Sequence, residues 1–162
     1  MSGTLRGPGL QAWEKLQSVT EQLRRETGRV LVTEAGLSAA EFTVLAHLAA
    51  SPAGVRSAEC ARAMGWDSSR LSHQLRRLEK RGYVARRGGD GSDGRATVVG
   101  LTPDGRRAHR RAVIPHLEAA QQWFGDALTD AQIAALHDVL TAVEAHIERR
   151  ITASEPQKDT QE

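Results

Sequence analysis

The chain has 162 residues, 40% apolar and 26% charged, which fits one ordinary globular domain long enough to bury a core unaided. No run of about 18 apolar residues occurs, so no membrane span is expected, and Met1 to Gly9 lacks the charged-then-apolar layout of a secretory leader, so a cytoplasmic location is expected. One cysteine, Cys60, excludes an internal disulfide and any zinc site that needs several thiolates.

The net charge of +2 hides an asymmetry. Residues 56–111 carry fourteen Lys/Arg against six Asp/Glu, while the rest of the chain carries eight against fourteen. A charge run alone is also what a solvated face looks like, but a basic middle between acidic flanks is the distribution expected where part of a protein meets a polyanion.

In chain order, residues 1–10 hold three Gly and a Pro and read as a flexible arm. From Gln11 to Val32 the apolar residues Trp13, Leu16, Val19, Leu23, Val30 and Leu31 fall mostly at three- and four-residue steps, predicting an amphipathic helix that Gly36 ends. Ser38-Ala39-Ala40-Glu41 is a capping-box pattern opening a second helix that buries Phe42, Leu45 and Leu48 and stops at Ser51-Pro52-Ala53-Gly54. Two shorter helices follow across a Gly65-Trp66 turn. Ser57 is the expected cap of the first, with Cys60, Ala61 and Met64 inward; Asp67 caps the second, which carries Leu71, Leu75 and Leu78 and closes at Gly82.

The period then changes. Tyr83–Arg87 and Arg95–Val99 favour strand, and the Gly88–Gly94 segment between them reads as a hairpin tip. Thr102-Pro103 starts a long helix that Pro115 should kink, and Thr129 or Asp130 caps a last one bearing Ile133, Leu136, Leu140, Val143 and Ile147. Residues 152–162 are polar and read as a disordered tail. The expected fold class is mainly α with a small β-hairpin wing. A winged helix-turn-helix module spans 37–100, and residues 11–36 and 101–151 form a helical dimerisation region.

On its outward side the second helix of the pair offers Ser68, Ser69, Arg70, Ser72, His73, Arg76 and Arg77. Placed in a major groove, Arg70 and Arg76 are candidates for bidentate contact with guanine, and the serines for phosphates or base edges. Arg86 and Arg87 on the first strand could hold flanking phosphates. No Gly-rich phosphate loop, nucleophile elbow or zinc motif is present, so an enzyme, a cofactor and a metal site are not expected. A protein–protein adaptor built on the same module should have lost the positive charge from helix and hairpin, and here both keep it. A non-specific nucleoid-type binder remains the other alternative.

The run from Met64 through Arg70, Leu71, Leu75, Leu78 and Gly82 to Val84 resembles the recognition helix and first wing strand of the MarR (multiple antibiotic resistance regulator) family. Asp93-Gly94-Arg95 is similar to that family's wing motif, and Leu101-Thr102-Pro103-Asp104-Gly105 to the start of its fifth helix. The resemblance spans residues 11–151. It implies a homodimer with interleaved terminal helices that binds a pseudo-palindromic double-stranded DNA operator, as a repressor. It also implies that Arg95 reaches a minor groove, with Asp93 holding it. Members are often released from DNA by a small aromatic or phenolic effector. Trp13, His47, Trp66 and Trp123 are the candidate lining residues, with His109 and His116 beside them, and each has a simpler role in core or surface. Cys60 stands where the family usually has Leu and reads as a buried, inert thiol.

Overall fold

A computed structural model describes residues 4–87 and 98–154. The element order is α1 (Pro8–Ala35), α2 (Ala39–Ala49), β1 (Val55–Arg56), α3 (Ser57–Ala63), α4 (Ser68–Lys80), β2 (Val84–Arg87), β3 (Val98–Leu101), α5 (Pro103–Trp123), a 3-10 turn (Gly125–Ala127) and α6 (Asp130–Ser154). The fold is mainly helical with a small antiparallel sheet, as the sequence predicts. Two units are distinct, Met1–Trp123 and Phe124–Glu162.

In the first unit, the helix ends follow the capping chemistry. Ser38 and Glu41 complete the capping box of α2, each satisfying an otherwise free amide of the other's turn. Gly36 ends α1 and Gly82 follows α4, both with positive φ that a side chain would strain. Thr102 caps α5 by accepting from the Gly105 amide, while its own hydroxyl donates to the Gly82 carbonyl. That bond seats α5 so close to the α4–β2 junction that a methyl group at Gly105 would collide with the Tyr83 carbonyl.

Several details differ from expectation. Ser57 does not cap α3: Arg56 holds that position, and the buried Ser57 hydroxyl has no hydrogen-bond partner among the described residues. The reason is β1, which the sequence reading missed because two residues are too few to show a period. It pairs Val55 with Val99, and the helix then starts at Ser57 itself, one residue earlier than expected. Pro8, Gly9 and Leu10 belong to α1 rather than to an arm, with Pro8 at the first-turn position that costs no amide bond. Thr152, Ala153 and Ser154 continue α6 beyond the expected start of the tail. Pro115 lies inside α5, where the sequence puts it.

The sheet has the order β1-β3-β2, with β2 and β3 antiparallel in the register Val84↔Leu101 to Arg87↔Val98. The second hairpin strand thus reaches Leu101, past the expected end at Val99. Residues 88–97, which include the expected hairpin tip Gly88–Gly94 and the expected strand residues Arg95, Ala96 and Thr97, lie outside the described residues. Beneath the sheet, Leu31, Leu37, Val44, Leu45, Leu48, Cys60, Leu71, Leu75, Leu78, Val84, Val99 and Ala112 make one core. Phe42 is only partly buried, packed on that core between the rings of His109 and His116 at 5.8 and 4.5 Å.

Other apolar residues find no cover in their own unit. Trp13, Leu16 and Val19 are exposed on α1, and Ile114 and Leu117 on α5. In the second unit, Thr129 caps α6 through a reciprocal pair with Gln132, and Leu140, Val143, Ile147 and Ile151 lie exposed along the helix. No described helix is long and apolar enough to cross a membrane.

Candidate nucleic-acid interface

Helix α4 is built from its buried side outward. Leu71, Leu75 and Leu78 are at most 2% exposed and turn one stripe into the core. The 3.6-residue period then leaves Ser68, Ser69, Arg70, His73, Arg76 and Arg77 exposed and Ser72 half-buried on the other side. His73, Arg76, Arg77 and Lys80 line one open groove along this outward face. The seven α4 candidates are therefore brought onto one helix face.

Its N-terminus is pre-ordered. Asp67 accepts from the Arg70 amide at 2.8 Å and from the Ser69 hydroxyl at 2.6 Å, and these bonds hold its carboxyl below the usual aspartate range. The Arg70 guanidinium lies 4.1 Å over the Trp66 ring, a cation–π contact. Trp66 is partly buried against the core, so it serves as a platform for a cation at the first turn of α4. Arg76 bends back to the Ser72 carbonyl at 3.3 Å.

The strand candidates divide. Arg86 is committed, its Nε donating to Glu79 Oε1 at 2.7 Å, which pins β2 to α4 and offsets the charge expected to meet phosphate. Arg87 is exposed at the far end of β2. Asp93 and Arg95 lie outside the described residues.

One cluster went unread in the sequence. Glu41, chosen there only as a capping residue, is 2% exposed and receives Arg81 Nη1 at 3.2 Å, with Arg77 Nε at 3.7 Å. Burial by itself would raise the Glu41 pKa, but the Ser38 amide and hydroxyl and the Arg81 charge outweigh it, so the carboxyl titrates below its ordinary value. Arg81 also donates to the Gly36 carbonyl at 2.9 Å and lies 4.7 Å over the Tyr83 ring. Breaking a fully buried pair costs about 3–5 kcal/mol; the Arg81 side chain is 33% exposed, so a smaller loss applies here. The partners lie 40 residues apart, and no local pattern announces them.

A cavity of about 320 Å³ opens between α2 and α5, lined by Leu48, Ala49, Ser51, Pro52, Leu101, Arg106, His109 and Arg110. None of the four effector candidates lines it. Trp13 and Trp123 are exposed, His47 is half-buried on α2, and Trp66 stands under Arg70. Burial, joined by the Arg110 charge, lowers the His109 pKa, and burial alone lowers that of His116. Burial likewise pushes the Cys60 thiol up, away from the reactive thiolate.

Residues 35–96 match the MarR family model. An uncharacterized HTH-type transcriptional regulator of Bacillus cereus is 27% identical over 142 residues, 88% of this chain and 92% of its own. Among solved structures, Sco3205 of Streptomyces coelicolor, a MarR family transcriptional regulator in complex with DNA, is 28% identical with a TM-score of 0.81, covering 98% of this chain and 96% of its own. CouR of Rhodococcus jostii RHA1, bound to p-coumaroyl-CoA, is 26% identical with a TM-score of 0.70 over 88% of this chain and 95% of its own. The winged helix-turn-helix core carries the match to the MarR family model, and the likenesses to MarR family transcriptional regulators run nearly end to end along the chain.

Proposed function

We propose that two copies of this chain bind a pseudo-palindromic operator and repress transcription from it. Each copy lays α4 in a major groove and its β2–β3 hairpin against the neighbouring minor groove. The observation that carries this reading is the outward face of α4, where cations and hydroxyls project from a helix whose other side is anchored by three buried leucines. Ser68, Ser69, Arg70, Ser72 and His73 sit nearest the N-terminal end that reaches base edges, Arg76 and Arg77 follow, and Arg87 and Arg95, with Asp93 beside it, serve the flanks. Arg86 contributes only after parting from Glu79.

Residues 37–100 form the DNA-binding module. Residues 11–36 and 101–151 pair the copies through the exposed apolar residues of α1, α5 and α6, since two-fold pairing is the commonest way to cover such faces. The site of action is the cytoplasm. A small aromatic or phenolic effector releases the DNA, and the cavity beside His109 and Arg110 has the size and mixed lining such a ligand needs. CouR's complex with p-coumaroyl-CoA supports an organic effector.

Selection of bound duplexes from a random pool tests the reading. The expected product is a palindrome with half-sites about one helical turn apart, bound with an affinity that falls steeply with salt. Recovery of unselected sequence, or a flat salt response, would reject it.

A further inference from the structure

Three leucines in a stripe fix how deeply α4 sits, but apolar contact has no preferred direction and leaves the helix free to tilt and slide. Direction requires groups with fixed geometry. At the C-terminal end of α4, Glu79 ties the helix to β2 through Arg86, and the site that ties it to both α1 and α2 is Arg81, whose planar fork reaches two acceptors on two other elements. Nη1 meets the buried Glu41 carboxylate on the first turn of α2, and Nη2 meets the Gly36 carbonyl at the end of α1. The second Glu41 oxygen is already taken by the Ser38 amide at 2.8 Å, so the carboxylate cannot swing to follow a displaced partner. The Tyr83 ring closes the fourth side, with its hydroxyl 3.4 Å from Nη2. The ends of α1 and α4, the start of α2 and the approach to β2 thus meet on one guanidinium.

We propose that Arg81 is a positioning residue for sequence recognition, locking the tilt of α4 against α1 and α2 without itself touching DNA. The proposal rests on the reading that α4 lies in the major groove. Helix α4 is 13 residues long, about 20 Å at 1.5 Å per residue. A tilt of about 5° at the Arg81 end moves the Asp67 end by about 1–2 Å, which is enough to break hydrogen bonds to base edges. Phosphate attraction falls off gently with distance and survives such a shift. Losing the lock therefore costs selectivity rather than general affinity.

The test uses the full chain carrying Arg81→Met or Arg81→Lys. Each is titrated at several salt concentrations against the duplex that the wild type selects and against a scrambled duplex of equal length, with helicity and thermal midpoint read by circular dichroism. The expected result for Arg81→Met is at least a tenfold loss on the selected duplex, less than threefold on the scrambled one, and an unchanged salt slope in a folded protein. Arg81→Lys keeps the charge without the fork and should recover only part of the selectivity. Parallel losses on both duplexes with a shallower salt slope would make Arg81 a phosphate contact and overturn the proposal, as would wild-type selectivity in Arg81→Met. Should Arg81→Met be unfolded at the assay temperature, Arg81→Lys decides. A threefold or larger drop in selectivity at the wild-type salt slope supports the lock, and full selectivity overturns it. A wild-type chain that selects no sequence at all would remove the reading of α4 underneath, an outcome distinct from any behaviour of the variants.

Discussion

Helices α4 and α6 are both amphipathic and both carry charges on one side, yet they stand at opposite ends of a scale of completeness. Half as long, α4 buries three leucines to near-zero exposure and is capped, clamped and stacked at both ends by its own unit. Helix α6 is 25 residues long and buries no described side chain. The difference is one of what lies opposite. The apolar side of α4 meets α2, α3 and β2, whereas Leu140, Val143, Ile147 and Ile151 have only solvent. A short helix can be rigid when its own chain completes it, and a long one gains most of its stability from whatever covers it.

The comparison is broken most severely from the α4 side. Leu75→Ala should cost about 2–5 kcal/mol, because it empties a site that is 1% exposed at the centre of the core. Chemical denaturation should show the loss in a lower midpoint; a change under about 0.5 kcal/mol would mean that α4 is not held as described.

On the other side, Val143→Asp with Ile147→Asp should leave the first unit folded and halve the mass seen by sedimentation, since two carboxylates cannot be buried unpaired in a subunit interface. A wild-type chain that sediments as one protomer would show that the apolar side of α6 has a different role.

Next in size, Arg95→Ala should weaken operator binding at least tenfold without loss of helicity, about 1.4 kcal/mol. Unchanged affinity in a gel-shift titration would remove the hairpin from the interface.

The smallest effect is on pH. His109 and His116 are held below the ordinary imidazole value, so folding favours their neutral forms, and stability should decline as pH falls below about 6.5. Glu41 is likewise depressed, so its contribution is present above the ordinary glutamate value near 4.3 and is lost as pH drops through the folded-state value. Replacing both histidines by Gln should flatten the first decline and leave the second. An unaltered profile would assign the first decline to other groups.

Much of this molecule was legible before any coordinates, because the information is local. The Ser38–Glu41 box, the Asp67 cap, Gly36 and Gly82 at helix ends, and the three-and-four spacing of Leu71, Leu75 and Leu78 each act within a turn or two. Together they place the outward candidates on one side of α4 by periodicity alone. What escaped is non-local. Pairing of Val55 with Val99 turned a loop into β1 and displaced Ser57 from its expected capping role. Arg86 looked like a free cation until β2 lay beside α4 and put Glu79 within reach. Glu41 and Arg81 met only because three helix ends converge, and Arg70 gained its platform only when Trp66 packed on the core. Periodicity dictates which side a residue takes on its own element. Which charge it then faces is decided by packing between elements, where distance in space no longer follows distance along the chain.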